Sequence, residues 1–222
     1  YKGLLGKTGF KKVKAKVSPY FVPSMDLYAA MFMRQHAYDA LKLLGFNKEV
    51  YRAVLGEFAF AMEVLEARGY GWDSPEADEL AKANLRRNVM HEVGHTLGLR
   101  HNFRASGIYS LEQLRDPAFT RVNGSSGSIM EYLAVNLALK GEGQGEYVGS
   151  TIGPYDYWAS EHAYKEITPE GEPAELAKIA SRSTEPLLAY ATDEDAGYGS
   201  VFLGIDPDVN RFDLGSDPLA YY

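Results

Sequence analysis

Residues 91–101 read HEVGHTLGLRH, and the interpretation of the whole chain depends on this stretch. His91 and His95 stand one helical turn apart, so their imidazoles project from the same side of a helix. Two imidazoles at this spacing can bind one metal ion. Glu92, directly beside them, is a candidate general base.

The residues after His95 add a third candidate ligand. Gly98 permits the left-handed backbone that ends a helix, and the resulting turn brings His101 back towards the same ion. Three neutral nitrogens leave a tetrahedral zinc with one open position, which is typical of a catalytic rather than a structural site. The sequence therefore predicts a zinc site formed by His91, His95 and His101, with Glu92 as the catalytic base. The alternative is an amphipathic helix whose surface histidines align by chance.

The composition narrows the classes of function. The chain has 222 residues, of which 45% are hydrophobic, so a sizeable core is expected rather than disorder. Its net charge of -7 argues against nucleic acids and anionic membrane surfaces as partners. Cysteine is absent, so zinc ligands must come from histidine and carboxylates. No apolar run has membrane-spanning length. The chain starts at Tyr1, without Met and without a signal-peptide pattern, so we expect a mature product or an excised fragment.

The sequence before the zinc motif is mostly helical in pattern. Residues 1–23 are basic and predict either an exposed strand or a poorly ordered arm. Apolar spacing predicts helices over 25–44 and from Asn47 to Gly69, joined as an antiparallel hairpin. A third helix, which carries the zinc motif, should run from Pro75 to about residue 97. We expect its core-facing stripe to consist of Leu85, Val89, Val93 and Leu97.

The sequence after the zinc motif is less regular. The capping-box pattern of Ser110 and Gln113 predicts a short helix. Further helical segments are predicted after Tyr132 as far as Leu139, over 154–166 and over 172–182.

The acidic residues near the C-terminal end suggest two interpretations. Part of the pattern of an EF-hand calcium loop is present in Asp206, Asp208, Asn210 and Asp217. Pro207 and Arg211 break that pattern, so solvated turns are favoured over a calcium site. His36 and His162 have no partner at ligand spacing, and we assign them no function.

These motifs together resemble the metzincin zinc endopeptidases. That family has a methionine-containing turn beneath the metal, and the run SIMEY at 128–132 stands at a suitable distance after the third histidine. The run YDYWA at 155–159 resembles the opening of the helix that closes the metzincin C-terminal subdomain. Together with the zinc motif and the ending FDLGSDPLAY at 212–221, these runs look like those of a bacterial family of large zinc-dependent metalloproteases, known mostly as domains of unknown function. The resemblance covers about residues 85–220.

The resemblance implies a mainly α fold, α+β at most, with a zinc helix and a Met-turn. We expect residues 1–222 to form a single metzincin-like catalytic domain or a fragment of one. Residues 25–98 would supply the helices that end in the zinc helix, and residues 99–222 the C-terminal subdomain. Metzincins have a twisted sheet before the zinc helix, whereas the pattern here is helical. The N-terminal sheet is therefore expected to be reduced or missing from this chain.

The resemblance also implies roles for two further residues. Tyr132 would donate a hydrogen bond to the tetrahedral oxyanion, or bind zinc when substrate is absent, although an ordinary packed tyrosine is the alternative. Met130 would form an apolar floor under the imidazoles. The expected activity is zinc-dependent hydrolysis of peptide bonds in a peptide or protein substrate, in an extracellular or periplasmic location.

Two other functions remain open at this stage. The chain could be a non-catalytic zinc-binding scaffold descended from a protease, or part of a split protease domain that needs upstream sequence for activity. Glu92 favours an enzyme, because a scaffold has no chemical need for a carboxylate beside the metal. Cleavage specificity and oligomeric state do not follow from the sequence.

Overall fold

The computed structural model describes residues 48–196 and 206–221. The chain divides into two compact units, Tyr1–Ala81 and Lys82–Tyr222. The predictions for the basic N-terminal arm or strand, for the first helix of the hairpin and for His36 concern residues outside the described ranges.

Two long helices precede the turn that carries the third histidine. Helix α1 spans Lys48–Ala67, which confirms the helix predicted between Asn47 and Gly69. Helix α2 spans Pro75–Thr96, as predicted for the zinc helix. The hydroxyl oxygen of Ser74 accepts a hydrogen bond from the backbone N–H of Ala77 at 3.2 Å, so this serine caps the first turn.

The remaining helices are short and lie in the second unit. The α-helices are α3 Leu111–Arg115, α4 Pro117–Asn123, α5 Pro154–Tyr164, α6 Glu172–Ala180 and α7 Pro218–Tyr221. Turns of 3₁₀-helix occupy Ala105–Ile108, Ser181–Thr184 and Pro186–Leu188. No β-strand occurs among the described residues, which confirms the mainly α fold. Within the part of the chain that the structure describes, every helix is too short or too polar to cross a membrane.

Several of the short helices begin where the sequence predicts. Ser110 and Gln113 form the predicted capping box: the Ser110 hydroxyl accepts from the Gln113 N–H, and the Gln113 side chain accepts from the Ser110 N–H. Helices α5 and α6 fall within the segments predicted at 154–166 and 172–182. A core cluster under α3 consists of Tyr109, Leu114, Leu133 and Leu214.

The prediction for the core-facing side of α2 is wrong. The four apolar residues of the expected stripe are between 37% and 50% exposed: Leu85, Val89, Val93 and Leu97. The buried side chains of this helix in the second unit are those of Arg87 and His91, and Gly94 is buried between the two helix-borne histidines. Residues 87, 91 and 94 share the opposite side of the helix, because each residue advances about 100° around the axis.

Contacts with the Met-turn explain why this polar side is the buried one. The Arg87 guanidinium donates to the backbone carbonyl of Glu131 at 2.6 Å, and His91 Nδ1 lies 2.8 Å from the carbonyl of Ile129. A buried carbonyl without a donor costs free energy comparable to a lost hydrogen bond. Hydrogen bonds to the turn therefore decide which face of α2 is buried. The spacing of apolar residues gives no information about these bonds.

The helix predicted after Tyr132 is also absent. The segment as far as Leu139 is irregular, although Leu133, Val135 and Ala138 are buried. Its backbone N–H groups donate to residues further along the chain: that of Asn136 to the carbonyl of Tyr147 at 3.0 Å, and that of Ala138 to the side chain of Gln144 at 3.1 Å. These bonds replace the bonds to the carbonyl four residues earlier that a helix requires.

Candidate metal centre

The chain leaves α2 through a turn that places His101 beside the other two histidines. Gly98 has φ +86°, in the left-handed region that glycine adopts without strain. The N–H of Gly98 donates to the carbonyl of His95, and the N–H of Leu99 donates to the carbonyl of Gly94, both at 3.0 Å. This bond pair is the Schellman motif, which closes a helix and reverses the chain.

Each of the three histidines has an oxygen acceptor at its Nδ1 atom. The backbone carbonyl of Ile129 lies 2.8 Å from Nδ1 of His91, and that of Leu99 lies 3.0 Å from Nδ1 of His95. For His101 the acceptor is the carboxylate of Asp193, at 2.9 and 3.0 Å. A carbonyl or carboxylate oxygen can only accept, so Nδ1 carries the proton and Nε2 keeps its lone pair in each neutral ring.

The three Nε2 atoms converge on one point. Ligand atoms of His91, His95 and His101 all lie within 4.8 Å of one another, and the Nε2 atoms of His95 and His101 are 3.2 Å apart. The Nε2 of His91 is buried and has no hydrogen-bond partner among the described residues. A buried nitrogen without a hydrogen-bond partner, close to two further imidazole nitrogens, is what a metal-binding site requires. Three imidazole nitrogens are a ligand set that suits zinc.

Burial keeps two of these imidazoles in the state that a metal needs. Burial lowers the pKa of His91 well below its ordinary value, although the bond to Ile129 opposes the shift. Burial also lowers the pKa of His95, with the bond to Leu99 again opposing. Both rings are therefore neutral at neutral pH, which is the form that binds metal.

Glu92 lies beside the centre on α2 and is partly buried. Burial raises the pKa of its carboxyl above the ordinary value, while the nearby His101 opposes the shift. A raised pKa makes the carboxylate a stronger base near neutral pH. The position and the environment of Glu92 thus suit proton transfer.

Met130 packs directly against the zinc helix. Its side chain is fully buried, and a Cβ built on Gly94 would overlap its sulfur atom. Gly94 lies between His91 and His95, so the missing side chain lets the turn approach the helix at the level of the two ligands.

Tyr132 packs against two of these histidines. Its hydroxyl lies 2.8 Å from Nε2 of His101, and its ring stacks on that of His91 with 5.2 Å between centroids. The residue is only 7% exposed. Its other face stacks on Phe212, whose backbone N–H donates to the Tyr132 carbonyl at 2.7 Å. The hydroxyl therefore lies next to the point where the Nε2 atoms meet.

Asp156 of helix α5 forms hydrogen bonds to the Met-turn. Its buried carboxylate accepts hydrogen bonds from the hydroxyl of Ser128 at 2.6 Å, the N–H of Ile129 at 2.7 Å and the N–H of Gly153 at 2.8 Å. Burial raises the pKa of Asp156, and the three donors oppose this by stabilising the charged form. Helix α5 thereby holds the turn that supports the histidines.

Comparison with known families agrees with this geometry. A family described as Met-zincin matches residues 73–222, which include the zinc helix, the Met-turn and α5. The chain belongs to the Met-zincin family. Membership supports a zinc metalloprotease-type domain in general. No curated protein and no solved structure matches the chain.

In this Met-zincin the structure brings together the three histidines and Tyr132, and packs Met130 against the helix between His91 and His95. Glu92 follows His91 on the same helix, and its role stays a prediction. Three other carboxylates contact the centre or its support and were not predicted: Asp156, Asp193 and Asp213. Asp156 and Asp213 lie within the runs YDYWA and FDLGSDPLAY, whereas no motif marks Asp193. His162 is exposed in α5 and stays unassigned.

The acidic residues considered for calcium have other partners. Asp206 forms an ion pair with Arg104 at 2.8 Å and also accepts the N–H of Asp208 at 2.9 Å. Asp217 accepts the N–H of Ala220 at the start of α7. Among the described residues, the group of three or more potential ligands close enough for one ion is the histidine cluster. Calcium binding stays an untested and unfavoured prediction.

Two buried carboxyl groups influence each other, one in the Met-turn and one near the C-terminal end of the chain. Glu131 is fully buried and accepts from the N–H groups of Ser106 and Tyr132. Burial raises its pKa well above the ordinary value and Asp213 adds to the shift, while these two N–H donors and Arg87 oppose it. Burial raises the pKa of Asp213 as well, although the Ser106 hydroxyl opposes it. The Oδ1 atom of Asp213 has no hydrogen-bond partner among the described residues.

We expect Asp213→Asn to increase stability at alkaline pH. A carboxyl with a raised pKa favours the protonated folded form, so its stabilising contribution is full below the ordinary pKa and is lost as pH rises through the raised value. The amide oxygen can still accept from Ser106 but carries no charge against Glu131. Urea unfolding of both proteins from pH 3 to pH 9, a range that begins below the ordinary pKa of 3.8, should show a flatter decline in the free energy of unfolding for the variant. If the free energy of unfolding changed equally with pH in both proteins, the proposed repulsion between Asp213 and Glu131 would be contradicted.

Proposed function

We propose that this chain carries the catalytic centre of a zinc-dependent endopeptidase that acts on a peptide or protein substrate. The observation that carries the proposal is that ring nitrogens of three histidines lie within 4.8 Å of one another, with a partly buried carboxylate next to the first of them on the helix. In a purely structural zinc site four protein ligands close the coordination sphere, whereas three leave a position for substrate or water. Membership of the Met-zincin family supports the same activity.

In the proposed reaction His91, His95 and His101 hold the zinc ion. When bound, zinc supplies a Lewis acid and lowers the pKa of a coordinated water to about 7. Glu92 takes a proton from the attacking water and delivers it to the leaving amine. Because its pKa is raised, Glu92 takes up the proton more readily and can still release it to the amine.

Tyr132 is proposed to stabilise the negative charge that develops on the substrate oxygen. Its hydroxyl lies at the histidine cluster, 2.8 Å from Nε2 of His101. A preorganised donor of this kind typically contributes about 10²–10³-fold to the rate. Met130 is proposed to act through packing alone, since its sulfur lies against Gly94 on the helix.

Two further elements of the function remain proposals. The substrate is proposed to be a peptide or protein, on the family membership. An extracellular or periplasmic location is proposed on the family resemblance alone.

The direct test is zinc-dependent hydrolysis of casein and of a peptide library. We expect the zinc-loaded chain to cleave, to lose activity on treatment with 1,10-phenanthroline, and to regain it when one equivalent of zinc is restored. Zinc content is measured in parallel. A chain that retains zinc and cleaves none of these substrates would contradict the endopeptidase proposal for this chain. Activity that returns only on addition of the upstream sequence would identify a split domain.

A further inference from the structure

The third histidine of the cluster differs from the other two in how it is held. His91 and His95 belong to α2, so the helix backbone fixes the positions of their Cα and Cβ atoms. His101 follows the turn at Gly98 and lies outside any helix. Its side chain must therefore be oriented by contacts with other segments.

Asp193 is the contact that orients it. Both carboxylate oxygens lie within hydrogen-bond distance of Nδ1 of His101, at 2.9 and 3.0 Å. The side chains of His101 and Asp193 are 14% and 28% exposed, so this interaction is partly shielded from water. The Nδ1 acceptors of His91 and His95 are neutral carbonyl groups, whereas that of His101 is a carboxylate.

The residue after His101 anchors the segment that leads to Asp193. Asn102 is fully buried, and its side chain donates to the carbonyl of Ala189 at 3.0 Å and accepts from the N–H of Ala191 at 3.3 Å. The N–H of Phe103 donates to the carbonyl of Ala191 at 2.8 Å. These bonds place the acidic segment alongside the turn that carries the histidine.

Arg100 also approaches this carboxylate, with its guanidinium 4.0 Å from Oδ2 of Asp193. Arg100 itself pairs with Glu194, at 2.7 Å, on the exposed side of the same segment. An ionised carboxylate on Nδ1 fixes the proton there and increases the electron density at Nε2.

We propose that Asp193 is a positioning residue for metal binding through His101: it fixes the tautomer and the ring orientation that present Nε2 to the ion. This inference rests on the proposed zinc site and goes beyond it by assigning a residue 92 positions away in the sequence. Removal of such a partner typically weakens metal binding by about 10–100-fold. The role is specific to Asp193, because Glu194 contacts Arg100 and not the imidazole.

The test measures zinc affinity of the full chain by competition with a chromophoric chelator. Asp193→Asn is expected to weaken zinc binding by about 10–100-fold. The matched control, Glu194→Gln, alters the neighbouring carboxylate of the same segment and should change affinity less than about twofold, since exposed ion pairs contribute little. Equal effects of the two substitutions would overturn the proposal.

A double-mutant cycle separates positioning from a general loss of structure. In a His101→Ala background Asp193→Asn should have no further effect on zinc affinity, because the residue acts through that ring. The melting temperature of the zinc-free protein should be unchanged by Asp193→Asn, and the visible spectrum of the cobalt-substituted protein should shift. An unchanged loss of affinity in the His101→Ala background, or a zinc-free variant that no longer folds, would overturn the proposal.

The same experiment keeps the two proposals apart. If the wild-type chain binds no zinc in the competition assay, the proposed function fails. If the wild type binds zinc tightly and Asp193→Asn binds it equally well, only the role of Asp193 fails.

Discussion

Glu92→Gln is expected to lower kcat for peptide hydrolysis by roughly 10²–10⁴-fold, the usual contribution of a general base. The amide has nearly the size of the carboxylate but cannot accept a proton at neutral pH. The proton moves only in the transition state, so kcat should fall far more than KM rises. Single-turnover hydrolysis of a peptide substrate, with zinc content measured on the same samples, reports both quantities.

Zinc content should stay near that of the wild type, because the three imidazoles already supply the protein ligands. The matched control is Glu170→Gln, which removes an exposed carboxylate and should leave kcat unchanged. Near-wild-type turnover of Glu92→Gln would show that Glu92 is not the base. Loss of zinc from this variant would show that Glu92 supports metal binding instead.

Gly94→Ala is expected to destabilise the protein and to weaken zinc binding, although alanine is the better helix former. In an open helix the substitution would stabilise by roughly 1 kcal/mol. Here the new methyl group overlaps the sulfur of Met130, which is fully buried and cannot swing into solvent. Overpacking of this kind costs about 1–3 kcal/mol, so the clash outweighs the helix propensity. The melting temperature should fall by a few degrees in a domain of this size.

Gly56→Ala provides the matched control. Gly56 lies in α1, and nothing lies within 4 Å of a Cβ built there, so the same substitution should be neutral or stabilising. Thermal unfolding and zinc competition on both variants separate helix propensity from packing. In a cycle with Met130→Ala, the clash should appear as a coupling between the two sites. A Gly94→Ala variant as stable as Gly56→Ala would contradict the close approach of the Met-turn.

Much of the candidate site could be predicted because its signals are local. The spacing of His91 and His95 and the left-handed turn at Gly98 depend only on the geometry of one helix and its end. The capping box at Ser110 depends on residues three positions apart. Interactions of this range are fixed by the sequence itself, and the structure has them where they were expected.

The periodicity of apolar residues was a poorer guide. It placed Leu85, Val89, Val93 and Leu97 in the core, and the structure leaves them exposed. It also predicted a helix before Leu139, where the backbone bonds to residues further along the chain instead. Apolar spacing shows which residues share a side of a helix, but it does not show which side finds a partner.

The sequence by itself determined that this chain has a helix-borne histidine motif, a glycine turn that returns a third histidine, and a methionine turn downstream. Only the tertiary structure decided which face of α2 is buried and which carboxylate holds His101. The partners of that face and of that imidazole lie about 40 to 90 residues away. Hydrogen bonds over such separations depend on how the chain closes its loops, and no local pattern of residues records that closure.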